Sequence, residues 1–230
     1  MIDFFVTPLS CSMQLLIIAA TGAEIGPFMA SPAAQKADVL ITGAGMVAAT
    51  YALTRRLAER RYDLVVQAGI GGSFDPALKP GDVVRITSDC FGDMGAEDHE
   101  HFLDINELGF ETGHGQLFKE SRLVAPTLPN VAVELPGTTG LTVNTVSGNT
   151  PTIMRRAEKY GCQVESMEGA AFHFVCLSED VPFVQVRAIS NYVTPRDKSQ
   201  WQMKEAIINL NKWLVAFVEG YYARAQKRKD

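Results

Sequence analysis

The strongest constraint on the fold lies between residues 164 and 197, in the run VESMEGAAFHFVCLSEDVPFVQVRAISNYVTPRD. It reads as a short extended piece, then a helix opened by Glu168-Gly-Ala-Ala, a turn at Ser178-Glu-Asp, and a buried strand from Pro182 to Ser190. In that strand Val184, Val186 and Ala188 alternate with Phe183, Gln185 and Arg187, and it ends on a polar pair, Ser190-Asn191. A strand that feeds a polar pair directly after a helix start is a unit of an α/β sheet. Ligands of such sheets collect beyond the carboxyl ends of the strands.

The rest of the chain repeats the pattern. Leu15 to Ala20 reads as the first buried strand, and the next turn, Ala-Thr-Gly-Ala-Glu24, carries an acid at a helix start, where the dipole favours it. Val39-Leu-Ile-Thr-Gly43-Ala-Gly45-Met-Val-Ala48 is a strand, a G-x-G-x-x-A turn and a helix through Leu57. That is close to a dinucleotide fingerprint. A strand already precedes it, however, and Asp63 stands at the start of the next strand, where the fingerprint needs an acid at the end. Glycines for a tight turn are the preferred reading.

The strand Leu64-Val-Val-Gln-Ala-Gly69 runs into a glycine-rich turn, Ile70-Gly71-Gly72, where a ligand can approach backbone with no Cβ in the way. Gly81-Asp82-Val-Val opens the next strand, and Leu141 to Val146 another. A helix from Thr152 to Tyr160 follows, with Pro151 in its first turn. Ser199-Gln-Trp201-Gln202 has the form of a capping box. Beyond it Ile207, Leu210, Leu214, Phe217 and Tyr221 form an amphipathic stripe expected to pack on the sheet. The expectation is one domain over 13–230: a three-layer α/β/α fold with a central twisted, mostly parallel mixed sheet flanked by helices. The first twelve residues are an appendage, since the pattern works equally well from Met13.

Composition excludes several classes. A hydrophobic fraction of 47% with 20% charged residues suits a soluble globular chain, and a net charge of −5 leaves no footprint for nucleic acid. Lys227-Arg-Lys229 is read as a solvated helix end. The cysteines at 11, 90, 162 and 176 are far apart and form no C-x-x-C, which argues against zinc ribbons and disulfide scaffolds and fits a cytoplasmic setting. No run is long enough to span a membrane. Glu97-Asp-His99-Glu-His101, with Asp104 and His114 beyond, lacks metal-ligand spacing, so no metal or other cofactor is expected.

Met167-Glu168-Gly-Ala-Ala together with Val186-Arg-Ala-Ile-Ser190-Asn191 resembles the nucleoside phosphorylase/nucleosidase superfamily, most closely its futalosine hydrolase branch. The likeness covers roughly residues 13–213. It implies a purine nucleoside as substrate and a homodimer or larger assembly. Glu24 would activate the attacking water, Glu168 would take the 2′- and 3′-hydroxyls, and Met167 would pack beneath the sugar. Ile70, Gly71 and Gly72 would line the pocket. The residues after the Leu141–Val146 strand would lie against the base, here Asn149 and Thr150 where many relatives carry an aromatic ring.

Asn191 occupies the slot in which the methylthioadenosine/S-adenosylhomocysteine nucleosidases carry an Asp that protonates adenine. An amide cannot act as an acid, but it can donate and accept at a 6-oxopurine. The resemblance implies that the family's phosphorylases bring one Arg near the first glycine turn and another just before the sheet-edge Ser/Thr. Residues 19–25 and 65–73 contain no basic residue, which favours water over phosphate. Alternatives are a methylthioadenosine/S-adenosylhomocysteine nucleosidase and a 6-oxopurine phosphorylase. Asp197 is a candidate outer acid or a helix cap, and His101, Arg196 and Trp201 are candidates for the wall around the 5′ substituent.

Overall fold

A computed structural model describes residues 13–109 and 115–226. The proposed appendage with Cys11, His114 and the basic end Lys227-Arg-Lys229 lie outside the described residues. In chain order the elements begin β1 (Leu15–Ala19), α1 (Gly22–Met29), β2 (Asp38–Ile41), α2 (Met46–Glu59), β3 (Leu64–Ser73) and β4 (Val83–Phe91). Then come β5 (Gly95–Asp98), β6 (His101–Asp104), β7 (Phe118–Lys119), β8 (Arg122–Val124), β9 (Gly137–Thr142) and α3 (Thr150–Tyr160). The chain closes with β10 (Val164–Ser166), α4 (Gly169–Ser178), β11 (Phe183–Tyr192) and α5 (Met203–Gln226). Strands β5 and β6 pair only with each other, as an antiparallel hairpin.

Helices cover both faces of the main sheet, which is why its central strands are apolar on both sides. Leu15, Ile17, Val66, Val184 and Val186 pack with Ile25 and Phe28 of α1 and Leu210 and Leu214 of α5. Leu16, Ile18, Val65 and Phe183 pack on the other face with Leu53 of α2 and Phe172 and Val175 of α4. Each such fully buried Leu, Ile or Phe contributes about 1.5–3 kcal/mol of transfer free energy.

The sheet is mixed, but it is not a simple open layer. Strand β1 joins β2 and β3 in parallel. From β3 the pairing runs to β11 (parallel), β4 (antiparallel), β9 (parallel), β10 (parallel) and back to β3 (antiparallel). Five strands therefore close a ring, with β1 and β2 extending it on one side and β8 and β7 on another.

Three local expectations change. Strand β3 continues through Ile70, Gly71 and Gly72, so these are strand residues and not a turn. Pairing with β11 on one side and β10 on the other supplies hydrogen bonds that hold the glycines extended. Strand β9 stops at Thr142, after which residues 143–147 turn toward the site. The Ser199 capping box is absent. Asp197 caps a short 3-10 turn, accepting from the Ser199 amide at 3.0 Å, and α5 starts only at Met203.

Candidate active site

A cavity of about 410 Å³ opens where β1, β3, β10 and β11 end, a size suited to a small-molecule site. Glu24, Ile70, Gly71, Gly72, Met167, Glu168 and Asn191 all line it.

Glu24 is placed by the start of α1. Thr21, the N-cap, donates its amide (2.9 Å) and hydroxyl (3.0 Å) to Oε2, and the amide of Ile70 donates to Oε1 at 3.1 Å. A helix-start acid is thus also an acid pinned across to β3. The helix bends just after it, with Ile25 outside helical geometry and Pro27 inside the helix. The bond that Phe28 would make to the Glu24 carbonyl is bridged instead by a side chain. Asn211 of α5 accepts from the Phe28 amide and donates to the Glu24 carbonyl, both at 2.8 Å.

Glu168 stands at the N-cap position of α4 and is 5% exposed. Gly45, the N-cap of α2, donates its amide to Glu168 Oε1 at 2.9 Å. The G-x-G turn therefore has a function other than nucleotide binding: it anchors this carboxylate. Gly45 sits at φ +90°, which a side chain resists.

On the other side Glu168 Oε2 lies 3.5 Å from Nη2 of Arg187, which also donates to Gln67 Oε1 at 3.0 Å. Arg187 is 1% exposed, inside the sheet and off the cavity wall. It stands opposite Gly69 across the β3–β11 pair. A methyl on Gly69 would collide with Arg187 Nη1 and come within 3.1 Å of Glu24 Oε1, so the glycine makes room for both charges. The role of Arg187 was missed from sequence, although an Arg in a continuous buried run is itself a signal. Its charge is spent on Glu168 and Gln67, so it offers no clamp to a free phosphate.

Asn191 sits at a β-bulge in β11, paired with Gly72. Its Nδ2 donates to the Tyr192 carbonyl at 2.8 Å. Ser190 Oγ lies 2.7 Å from Asn191 Oδ1 and 3.1 Å from the Gly71 carbonyl, and its single proton serves one of them at a time. Asn149 and Thr150 are exposed and stand off the cavity wall. Asn149 Oδ1 caps α3 through the Thr152 amide at 3.0 Å. The wall there is made by Val146 and Ser147.

Ser147 is held from below. Its amide (2.8 Å) and hydroxyl (2.5 Å) donate to Glu165, which Arg156 approaches to 3.3 Å. Burial raises the Glu165 carboxyl above the usual range, against the opposing pull of Ser147 and Arg156. Arg196 and Trp201 also line the cavity, the guanidinium 5.3 Å from the indole centroid, whereas His101 lies on the separate hairpin. Among the described residues no cluster of His, Cys, Asp or Glu could hold a metal ion, and no helix is long and apolar enough to cross a membrane.

Known proteins share this architecture. The native structure of futalosine hydrolase of Helicobacter pylori superposes with a TM-score of 0.72 at 17% identity, covering 91% of this chain and 98% of that one. The 5′-methylthioadenosine/S-adenosylhomocysteine nucleosidase from Neisseria meningitidis, in complex with methylthio-immucillin-A, gives 0.75 at 18% identity, covering 90% and 99%. In sequence, futalosine hydrolase of Streptomyces coelicolor is 36% identical over 155 residues, 66% of this chain and 63% of that protein, so the match spans less than two thirds of that relative. Futalosine hydrolase of Thermus thermophilus is 30% identical over 173 residues, 73% of this chain and 75% of that protein. A family model for the phosphorylase superfamily matches residues 17–219, nearly the full described length, and the chain belongs to that superfamily.

Proposed function

We propose that the protein is a futalosine hydrolase, cleaving the N-ribosidic bond of futalosine with water to release hypoxanthine and dehypoxanthine futalosine. The observation that carries this reading is one cavity lined by Glu24, Glu168 and Asn191, with no basic residue on the β1–α1 turn or along β3. The similarity to the Streptomyces and Thermus futalosine hydrolases supports the choice of substrate.

Bond cleavage develops positive charge on the ribosyl ring and negative charge on the departing base. Glu24, held from two sides, orients and deprotonates the water. Glu168 accepts from the 2′- and 3′-hydroxyls, each charge-assisted bond being worth about 1.5–3 kcal/mol. Met167 packs beneath the sugar, and the backbone at Ile70, Gly71 and Gly72 admits the substrate closely. Asn191 exchanges its Tyr192 contact for the base, donating to N7 or O6, and Val146 and Ser147 flank the ring. Arg196, cationic and on the rim, suits a carboxylate on the 5′ substituent. Residues 13–230 act as one nucleosidase domain of a homodimer or larger assembly. The setting is cytoplasmic, on the menaquinone route through futalosine.

The test is to incubate the purified protein with futalosine and follow free hypoxanthine with and without phosphate. Release that is independent of phosphate is expected. Release only with phosphate would make it a phosphorylase, and adenine released from methylthioadenosine alone would make it the other nucleosidase.

A further inference from the structure

Away from the cavity, the structure brings together two cysteines that are 72 positions apart in the chain. Cys90 Sγ, near the end of β4, lies 3.7 Å from Cys162 Sγ, just ahead of β10. Both are free and nearly buried, at 4% and 5% exposure. Arg122 of β8 reaches the same point, its Nη1 lying 3.1 Å from Cys162 Sγ and 3.9 Å from Cys90 Sγ. The guanidinium is fixed there by a 2.5 Å bond to the Tyr160 carbonyl. Cys90 and Arg122 also line a surface depression with Tyr160 and Lys159, so the pair borders it on the Cys90 side. Cys176, by contrast, is fully buried with apolar neighbours.

We propose that Cys90 and Cys162 form a peroxide-oxidisable dithiol site that closes into an intramolecular disulfide. The roles of the two thiols differ. The neighbouring Cys90 thiol and the Arg122 guanidinium, which stands nearer Cys162 than Cys90, favour the Cys162 thiolate, and the thiolate is the attacking species. Cys90, whose proton is held by burial and by its neighbour, is the resolving thiol. The Cys162 thiolate attacks the O–O bond of a hydroperoxide, giving Cys162 sulfenic acid and the corresponding alkoxide or hydroxide, which is protonated by solvent. Cys90 sulfur then displaces the sulfenic hydroxyl. The S–S bond forms, the S–O bond breaks, and water leaves with the Cys90 proton. Two thiols are oxidised and one peroxide is reduced. The sulfurs need approach by less than 2 Å to reach disulfide distance, about 2.05 Å.

The experiment treats the full-length protein with hydrogen peroxide and reads the intact mass and a non-reducing peptide map. The expected result is a loss of two hydrogen atoms, peptides joined through Cys90 and Cys162, and full reversal by dithiothreitol. In Cys90→Ser, a sulfenic acid on Cys162 should be trapped by dimedone. Arg122→Gln should slow disulfide formation at neutral pH, on the order of several-fold, because less of Cys162 is then thiolate. A wild-type protein that keeps both thiols, or joins either to a different cysteine, would overturn the site. An unchanged rate in Arg122→Gln would remove the guanidinium from it.

Discussion

At the scale of single residues, the proposed chemistry turns on which side chains can move a proton and which can only hold one. Glu24 is the carboxylate pinned by Thr21 and Ile70. Glu24→Gln keeps its shape and its bond from Ile70 but removes the base. Turnover of futalosine should fall about 10²–10⁴-fold, while binding of an uncleaved analogue, read by calorimetry, stays within a few-fold. Retained turnover would take Glu24 out of the mechanism. Asn191→Asp is the informative opposite. It installs a proton donor where the amide now stands, so the ratio of kcat/KM for methylthioadenosine over futalosine should rise at least tenfold. An unchanged ratio would exclude Asn191 from base recognition.

At the scale of elements, the acids are only as well placed as the helix starts that carry them. The Asn211 amide replaces the hydrogen bond lost at the bend of α1, from a helix 187 residues further along. Asn211→Leu leaves the Phe28 amide and the Glu24 carbonyl buried and unpaired, at about 1–3 kcal/mol each. The urea midpoint should drop accordingly, and kcat should fall more than KM rises, because α1 can then shift Glu24. Stability and kcat both unchanged would mean that the bend holds itself. Gly45→Ala strains a φ of +90° at the amide that anchors Glu168. KM for futalosine should rise about tenfold, the size expected for loosening a charge-assisted bond; an unaltered KM would refute that anchoring.

Much of this level was legible in advance. The buried runs at Leu15, Leu64 and Phe183 and the helix starts at Glu24 and Glu168 show as local patterns of apolar spacing and capping. What stayed hidden was pairing. Nothing local in Ile70-Gly71-Gly72 distinguishes a turn from a strand clasped by two neighbours. Asn149-Thr150-Pro151 reads equally well as a ligand wall or as the helix cap it forms. Arg187, Asn211 and the Cys90–Cys162 pair owe their partners to contacts across 19 to 187 residues, far beyond the spacings of roughly two to four on which local patterns rest.

At the scale of the whole molecule, two buried groups make stability respond to pH in opposite directions. His173 is fully buried, bonded through Nδ1 to the Leu123 carbonyl, and burial lowers it to about 4. Its contribution is complete above its unfolded value and is lost as pH falls toward 4, by up to about 3 kcal/mol. Asp89, bonded to Thr142 and Gln185, is raised by burial to about 6. Its contribution is complete below the unfolded value and is lost as pH rises through 6. Between about pH 4 and 6 the two partly cancel. Urea midpoints across that window should therefore rise with pH in Asp89→Asn and fall with pH in His173→Gln. Parallel curves for the three proteins would show that neither group titrates as described.

The return of β3, β11, β4, β9 and β10 to their starting point has a consequence for how such a chain can change in length. An outermost strand can absorb an added residue by sliding, but a closed circuit has no outermost strand. A slip in any of the five has to be matched by both neighbours until it comes round again. Additions and deletions are therefore expected to be tolerated on β7 and in the β5–β6 hairpin, outside that circuit and away from Glu24 and Glu168.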